Sequence, residues 1–184
     1  KRVESGRAVE RVVSCRKSKE GEEYLVKWLN YSSFESSWEP LEHLTDECIR
    51  YFNEPTPSRN VVLAEVARLQ VAIYQALNCP RTRRRVTVEF RQDVFTYLFK
   101  GKGQKDGIWF LLGKGDFNHL FFPNNWDNLL DHHGQGTKVF FPVKVRHFIS
   151  WSPPQHIVDT FGNAVPSSRS YLEKISMDFI KVAA

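Results

Sequence analysis

The stretch RAVERVVSCRKSKEGEEYLVKWL, residues 7–29, constrains its part of the chain more than any other feature. Apolar and polar side chains alternate on both sides of the polar KSKEGEE segment. Val9 and then Val12 or Val13 precede it; Leu25 and Lys27, interleaved with Tyr24, Val26 and Trp28, follow. A repeat of two puts successive side chains on opposite faces of an extended chain, so the two arms read as strands of a hairpin whose turn contains Gly21. NYSSFESS is then a polar bend. SWEPLEHL supplies a third short strand, stopped at Pro40, which has no N–H to give to a ladder. TDECIRYFN reads as a helix, with Thr45 at the N-cap, Asp46 and Glu47 in the first turn, and Ile49, Phe52 and Cys48 as candidates for one apolar face.

Five rings, Tyr24, Trp28, Tyr31, Phe34 and Trp38, fall within this short region, more than a small core can take. Trp38 is expected in the core, pointing at the closing helix, together with Tyr24, Leu25, Val26, Leu44, Ile49 and Phe52. Trp28 and Tyr31, at a strand end and the bend after it, are expected as exposed rings that serve a ligand. Phe34 stays open between the two roles.

The run Y-L-V-K-W-x-x-Y-x(6)-W-E-P-x-x-x-L, preceded by VERVV and followed by a helix ending YFN, resembles the chromodomains of heterochromatin, Polycomb and chromodomain-Y type proteins. The resemblance covers about residues 7–54. It implies a small three-stranded barrel with a C-terminal helix, and a nuclear, chromatin-associated protein of gene silencing and heterochromatin. Its implied ligand is a histone H3 tail carrying a methylated lysine of the lysine-nine or lysine-27 class. Carried over by position, Trp28 and Tyr31 are walls of an aromatic cage and Glu35 is the acid at its rim. The peptide is expected to add as a strand beside SGRAVE, residues 5–10, with Ala8, Val9, Glu10, Glu39 and His43 lining its groove. The chemistry suits such a ligand: a trimethylated ammonium keeps its charge but loses its N–H donors, and a π-face offers such a cation about 0.5–2 kcal/mol. At the position of the first cage ring this sequence has Arg7. Three readings follow: a two-walled cage, a cage completed by another ring such as Phe34, or a module that binds an extended peptide without reading methylation.

With 184 residues the chain has room for one core or two. Charge divides it unevenly. Residues 1–60 carry ten basic and eleven acidic side chains, net −1, which leaves sixteen against ten, net +6, for residues 61–184. The expected organisation is α+β throughout: a chromodomain at 1–54, a linker at 55–60 containing the two prolines of NEPTPSRN, and a second module at 61–184 of helix, antiparallel strands and helix. Val62, Val66, Leu69, Ile73 and Ala76 or Leu77 mark its first helix as amphipathic and ending near Asn78. RTRRRVTVEF is a strand entered from a basic loop. The apolar runs around KGKGQKDG read as a hairpin, and TKVFFPVKVRHFISW as a strand whose Phe141-Pro142 suggests an edge or a bend. SRSYLEKISMDFIKV reads as a closing helix with Leu172, Ile175, Phe179 and Ile180 apolar and Ser168 or Ser170 as cap.

No apolar run approaches the roughly twenty residues of a membrane span, and KRVESGRAVE has no signal-peptide core. Cys15, Cys48 and Cys79 are odd in number and widely spaced, so buried inert thiols are expected in place of disulfides or a zinc site. GKG, GKGD and GQG are too short for a phosphate-binding loop. Asp131, His132 and His133 are adjacent, but histidines side by side on a loop are expected to point apart, and no third ligand sits at a fixed spacing. No cofactor, metal or enzymatic activity is expected. The second module is left three roles: dimerisation, recruitment of a protein partner, or contact with RNA or DNA. For nucleic acid the candidates are Arg81, Arg83, Arg84, Arg85, Lys100 and Lys102, since residues 79–114 hold nine basic and three acidic side chains with Phe90, Phe95, Tyr97 and Trp109 between them.

Overall fold

Tyr24, Leu25 and Val26 are consecutive and all buried, so the strand that carries them must be covered on both faces. The computed structural model describes residues 6–184; Ser5, first residue of the segment expected to receive a peptide, lies outside them. In chain order the elements are β1 (Val9–Ser18), β2 (Gly21–Trp28), β3 (Ser37–Pro40), α1 (Asp46–Asn53), α2 (Arg59–Leu77), β4 (Arg83–Glu89), α3 (Gln92–Phe99), β5 (Gln104–Asp106), β6 (Trp109–Leu112), β7 (Asn128–Leu130), β8 (Gly136–Trp151), β9 (His156–Val158), β10 (Ala164–Pro166) and β11 (Tyr171–Ala183). They form two units. The first comprises the residues up to Pro55 together with Ile149–Leu172, and the second Thr56–Phe148 with Glu173–Ala184. The division expected from sequence assigned all of 61–184 to one module, whereas the segment Ile149–Leu172 joins the first unit.

In the first unit β1, β2 and β3 form an antiparallel sheet in that order. Tyr24, Val26 and Trp28 alternate onto one face, where with Val9, Val12 and Cys48 they meet Leu44, Ile49 and Phe52 at α1. The helix begins as expected, the Thr45 side chain accepting from the Cys48 N–H. The Tyr24 ring meets Phe52 edge-on at 6.0 Å, and burial, reinforced by the hydrogen bond from its hydroxyl to Glu22, pushes its pKa up to about 12. Leu25 faces the other way. A register shift between Val12 and Ser14 in the β1–β2 ladder puts Val13 on that second face as well, so two consecutive valines are both buried. Val13 and Leu25 pack with Tyr171, flanked by Trp38 and Ile149. Trp38 is therefore not directed at α1, as expected from sequence. Its register partner is Leu25, which fixes it on the opposite face, half-buried with the Arg16 guanidinium 4.1 Å above its ring.

In the second unit α2 buries Val62, Val66, Leu69, Ile73, Ala76 and Leu77 as its period requires, and is capped by Ser58, whose side chain accepts from the Val61 N–H. The larger sheet runs β4-β11-β8-β6-β5, with β7 also pairing β8. Its helix-facing side supplies Val86, Leu112, Val139, Val143, Val145, Ile175, Met177 and Phe179 to one core with α2 and α3. The residues after Ser170 form strand β11 instead of a closing helix. Ile175, Met177 and Phe179 alternate into the core, while Ser176 and Asp178 on the other face are buried by hydrogen bonds to Thr87 and to Arg83 and Arg85. The first arm of the expected hairpin around KGKGQKDG is helix α3; the hairpin itself is β5 and β6. β8 is not an edge strand. Pro142 lies between the stretch paired with β7 and the stretch paired with β6, where a missing N–H leaves no bond unmade on that side. Of the cysteines only Cys48 is buried; Cys15 is exposed and Cys79 half-buried. The His132 and His133 rings do not point apart but lie 3.8 Å from each other, while the Asp131 carboxylate accepts from the N–H groups of His133 and Gln135 in the turn.

Tyr171 fills the space over Val13 and Leu25, and its hydroxyl is 3.4 Å from the Ser36 hydroxyl. Tyr171→Ala is therefore expected to destabilise the first unit by about 3 kcal/mol, and Tyr171→Phe by about 1. Urea unfolding followed by tryptophan fluorescence measures both; equal losses would locate the contribution in the hydroxyl instead of the ring.

Candidate functional site

β1 is an edge strand: β2 occupies one side and, among the described residues, no strand occupies the other. Where β1 begins, the Leu29 N–H donates to the Ala8 carbonyl at 2.9 Å and Val9 stands opposite Trp28. The chain then turns tightly, Asn30 taking a φ of 64° and the Tyr31 N–H donating to the Trp28 carbonyl at 3.2 Å. Asparagine is among the few residues that adopt this left-handed conformation readily.

Lys27 holds the turn. Its ammonium donates to the carbonyls of Trp28, at 3.1 Å, and Tyr31, and meets the Glu10 carboxylate at 2.7 Å. Glu10 reaches it because the ladder shifts register between Val9 and Arg11. One cation thus fixes both ends of the four-residue turn and ties it to β1. The Tyr31 ring stays 41% exposed. The Arg7 guanidinium lies over it, 4.7 Å from the centroid, so the face that the resemblance assigns to a methylated ammonium already has a cation on it.

Trp28 differs from the expectation of an exposed ring. It is 2% exposed, because its register places it on the face shared by Tyr24 and Val26 under α1. Its indole N–H donates to the Ser37 hydroxyl at 3.0 Å, which donates to Glu39 at 2.7 Å, whose other oxygen meets His43 Nδ1 at 2.8 Å. Glu39 and His43, the expected groove residues, are thus linked through Ser37 to the ring expected as a cage wall. Glu35 and Phe34 lie on a single helical turn, Ser33–Glu35; both are exposed, Phe34 by 52%. Lys27 and Ser37 are the residues that sequence reasoning missed. For Lys27 the signal was its alternation away from Tyr24, Val26 and Trp28 toward the acid-bearing start of β1; for Ser37 there was none, since only the β2–β3 register places it beside Trp28.

The nucleic-acid candidates are not one cluster. Arg83 and Arg85 share a face of β4 and both bind Asp178, at 3.2 and 3.1 Å. Burial tends to raise the Asp178 pKa, but the hydrogen bonds and charges of the two arginines outweigh it and the net shift is downward. Arg84 alternates to the other face and is half-buried. Arg81 precedes the strand, and Lys100 and Lys102 follow α3.

The Chromo (CHRromatin Organisation MOdifier) domain family matches residues 7–54. Those residues are a chromodomain. The chromodomain resembles that of human Chromodomain Y-like protein, 47% identical over 47 residues, which is 25% of this chain and 8% of the relative. It also resembles Chromodomain Y-like protein 2 of Mus musculus, 50% identical over 48 residues, 24% of this chain and 10% of the relative. The chain thus spans a tenth or less of the length of these relatives. Chromodomains are in general chromatin-associated readers of methylated lysine.

The Ser37 hydroxyl both accepts from Trp28 and donates to Glu39, so Ser37→Ala leaves the indole N–H unpaired in a buried site and is expected to cost about 1–2 kcal/mol. Thermal unfolding of the full chain measures this, and an unchanged midpoint would mean that the network does not hold Trp28 in place.

Proposed function

We propose that the chromodomain binds a histone H3 tail as an added strand along the outer edge of β1 and reads a methylated lysine, of the lysine-nine or lysine-27 class, at Tyr31. The observation that supports this reading is the cation seated on the Tyr31 face beside a strand edge that no described strand occupies. Main-chain pairing along the outer edge of β1, beside Ala8, Val9 and Glu10, supplies affinity that does not depend on the lysine's modification. Discrimination is left to the ring and to charge. The methylated ammonium displaces Arg7 from Tyr31, with the exposed Glu35 adding long-range attraction and Trp28 acting as the packed base from which the turn projects. Loss of the Arg7 contact offsets part of what the trimethylammonium gains on the ring, so the preference for methylation is smaller than a three-ring cage would give. Such binding would place the protein on chromatin in the nucleus.

A second reading rests on the same contact. If Arg7 holds its place, the edge of β1 binds an extended peptide without regard to methylation, and the chromodomain acts as an interaction scaffold.

Calorimetric titration of trimethylated and unmodified H3 peptides into the full chain separates the two. The reader predicts a preference for the trimethylated peptide of roughly two- to thirtyfold, equivalent to about 0.5–2 kcal/mol, lost in Tyr31→Ala and increased in Arg7→Tyr. Equal affinity for both peptides favours the scaffold, and no binding of either rejects both.

A further inference from the structure

We propose that the face of the large sheet turned away from α2 and α3 binds single-stranded nucleic acid. Side chains alternate along a strand, so with Val86, Val145, Leu112 and Met177 in the helix-facing core, the opposite face presents the intervening residues. At its centre Trp109 lies between two guanidinium groups, Arg85 at 5.0 Å and Arg146 at 5.4 Å from the ring centroid, and Arg146 also covers Phe148 at 4.4 Å. Beside them Arg83, Phe140, Pro142, Lys144 and Ile180 line a pocket of about 150 Å³. Phe140 is 53% and Ile180 47% exposed.

The charges of this face are partly matched from within. Arg83 and Arg85 share Asp178, and Lys144 lies 3.8 Å from Asp106. Among these residues four cations, Arg83, Arg85, Lys144 and Arg146, against two carboxylates leave +2, which argues for a polyanion yet is too small to hold one by charge alone. The rings and stacked guanidinium planes decide the class. Unpaired bases can stack on arginine and aromatic faces while their phosphates meet the flanking cations, each stacked base contributing about 1–3 kcal/mol. A duplex keeps its bases stacked within itself, and an acidic peptide has nothing to lay on the rings. The proposal does not depend on how the chromodomain edge is used.

Fluorescence anisotropy of a labelled oligouridylate of about fifteen nucleotides, titrated with the full 184-residue chain, tests the proposal. Binding is expected to weaken steadily between about 50 and 200 mM salt. Lys144→Glu and Arg146→Gln should each weaken it by roughly fivefold or more, and Trp109→Ala further still. Since Trp109 is half-buried, circular dichroism must show that its variant folds; the two charge variants carry the test if it does not. Lys19→Gln, a charge loss on the exposed turn of the first hairpin, should leave affinity within about twofold. The proposal is overturned if the oligouridylate does not bind, if a duplex of equal length or an oligoglutamate binds as tightly, or if Lys19→Gln weakens binding as much as Arg146→Gln.

Discussion

The burial of β2 on both faces is the constraint from which the first unit follows. Three consecutive apolar residues, Tyr24, Leu25 and Val26, cannot be satisfied by one covering layer, since alternate side chains leave the sheet in opposite directions. Helix α1 covers Tyr24, Val26 and Trp28; Tyr171 and Ile149, from residues 149–172, cover Leu25 and Val13. The chromodomain sequence alone therefore supplies only one of the two layers its sheet requires. Burying an aromatic ring such as Tyr171 on an apolar face contributes on the order of 2–3 kcal/mol, a large share of the stability of a small unit.

The same constraint separates the rings into buried and exposed. Trp28 is drawn under α1 by its register with Tyr24 and Val26, and its indole N–H is satisfied inside the fold by Ser37. Tyr31, one tight turn later, is beyond the sheet and stays exposed, with Arg7 over its ring. The turn is not loose, because Lys27 binds two of its carbonyls and Glu10 together. A ring on a turn held in this way, beside a strand edge that no described strand occupies, is a suitable place to receive a cation from an added strand. Here that place is occupied by Arg7, so under the proposed reading peptide docking and selectivity for methylation are separable, and the second is set at a single position.

Much of this was legible in the sequence because it depends on local repeats. The period of two in β1 and β2, the Thr45 cap, the stop at Pro40 and the three-four spacing of α2 all read directly, as did the chromodomain spacing of Trp28, Tyr31 and Trp38. What failed depended on distant partners. β11 carries apolar residues at both helical and strand spacings, and Ser176 and Asp178 look like a solvated face until Thr87, Arg83 and Arg85 are seen opposite them. Tyr171 has no local mark of its role over Val13 and Leu25. Trp28 was misjudged as exposed although the signal was present, since it continues the alternation of Tyr24 and Val26 and so had to share their burial. For Arg7 the sequence showed a cation where a ring was expected, and only the fold shows that it lies on Tyr31.

The contest at Tyr31 is observed most directly through the Arg7 side chain itself. In nuclear magnetic resonance spectra of the full chain, the Arg7 side-chain protons are predicted to be shifted upfield by the Tyr31 ring current and to move back toward ordinary arginine positions as a trimethylated H3 peptide is added. Arg7 signals that lack the shift in the free protein, or that keep it when the peptide is bound, would contradict the account.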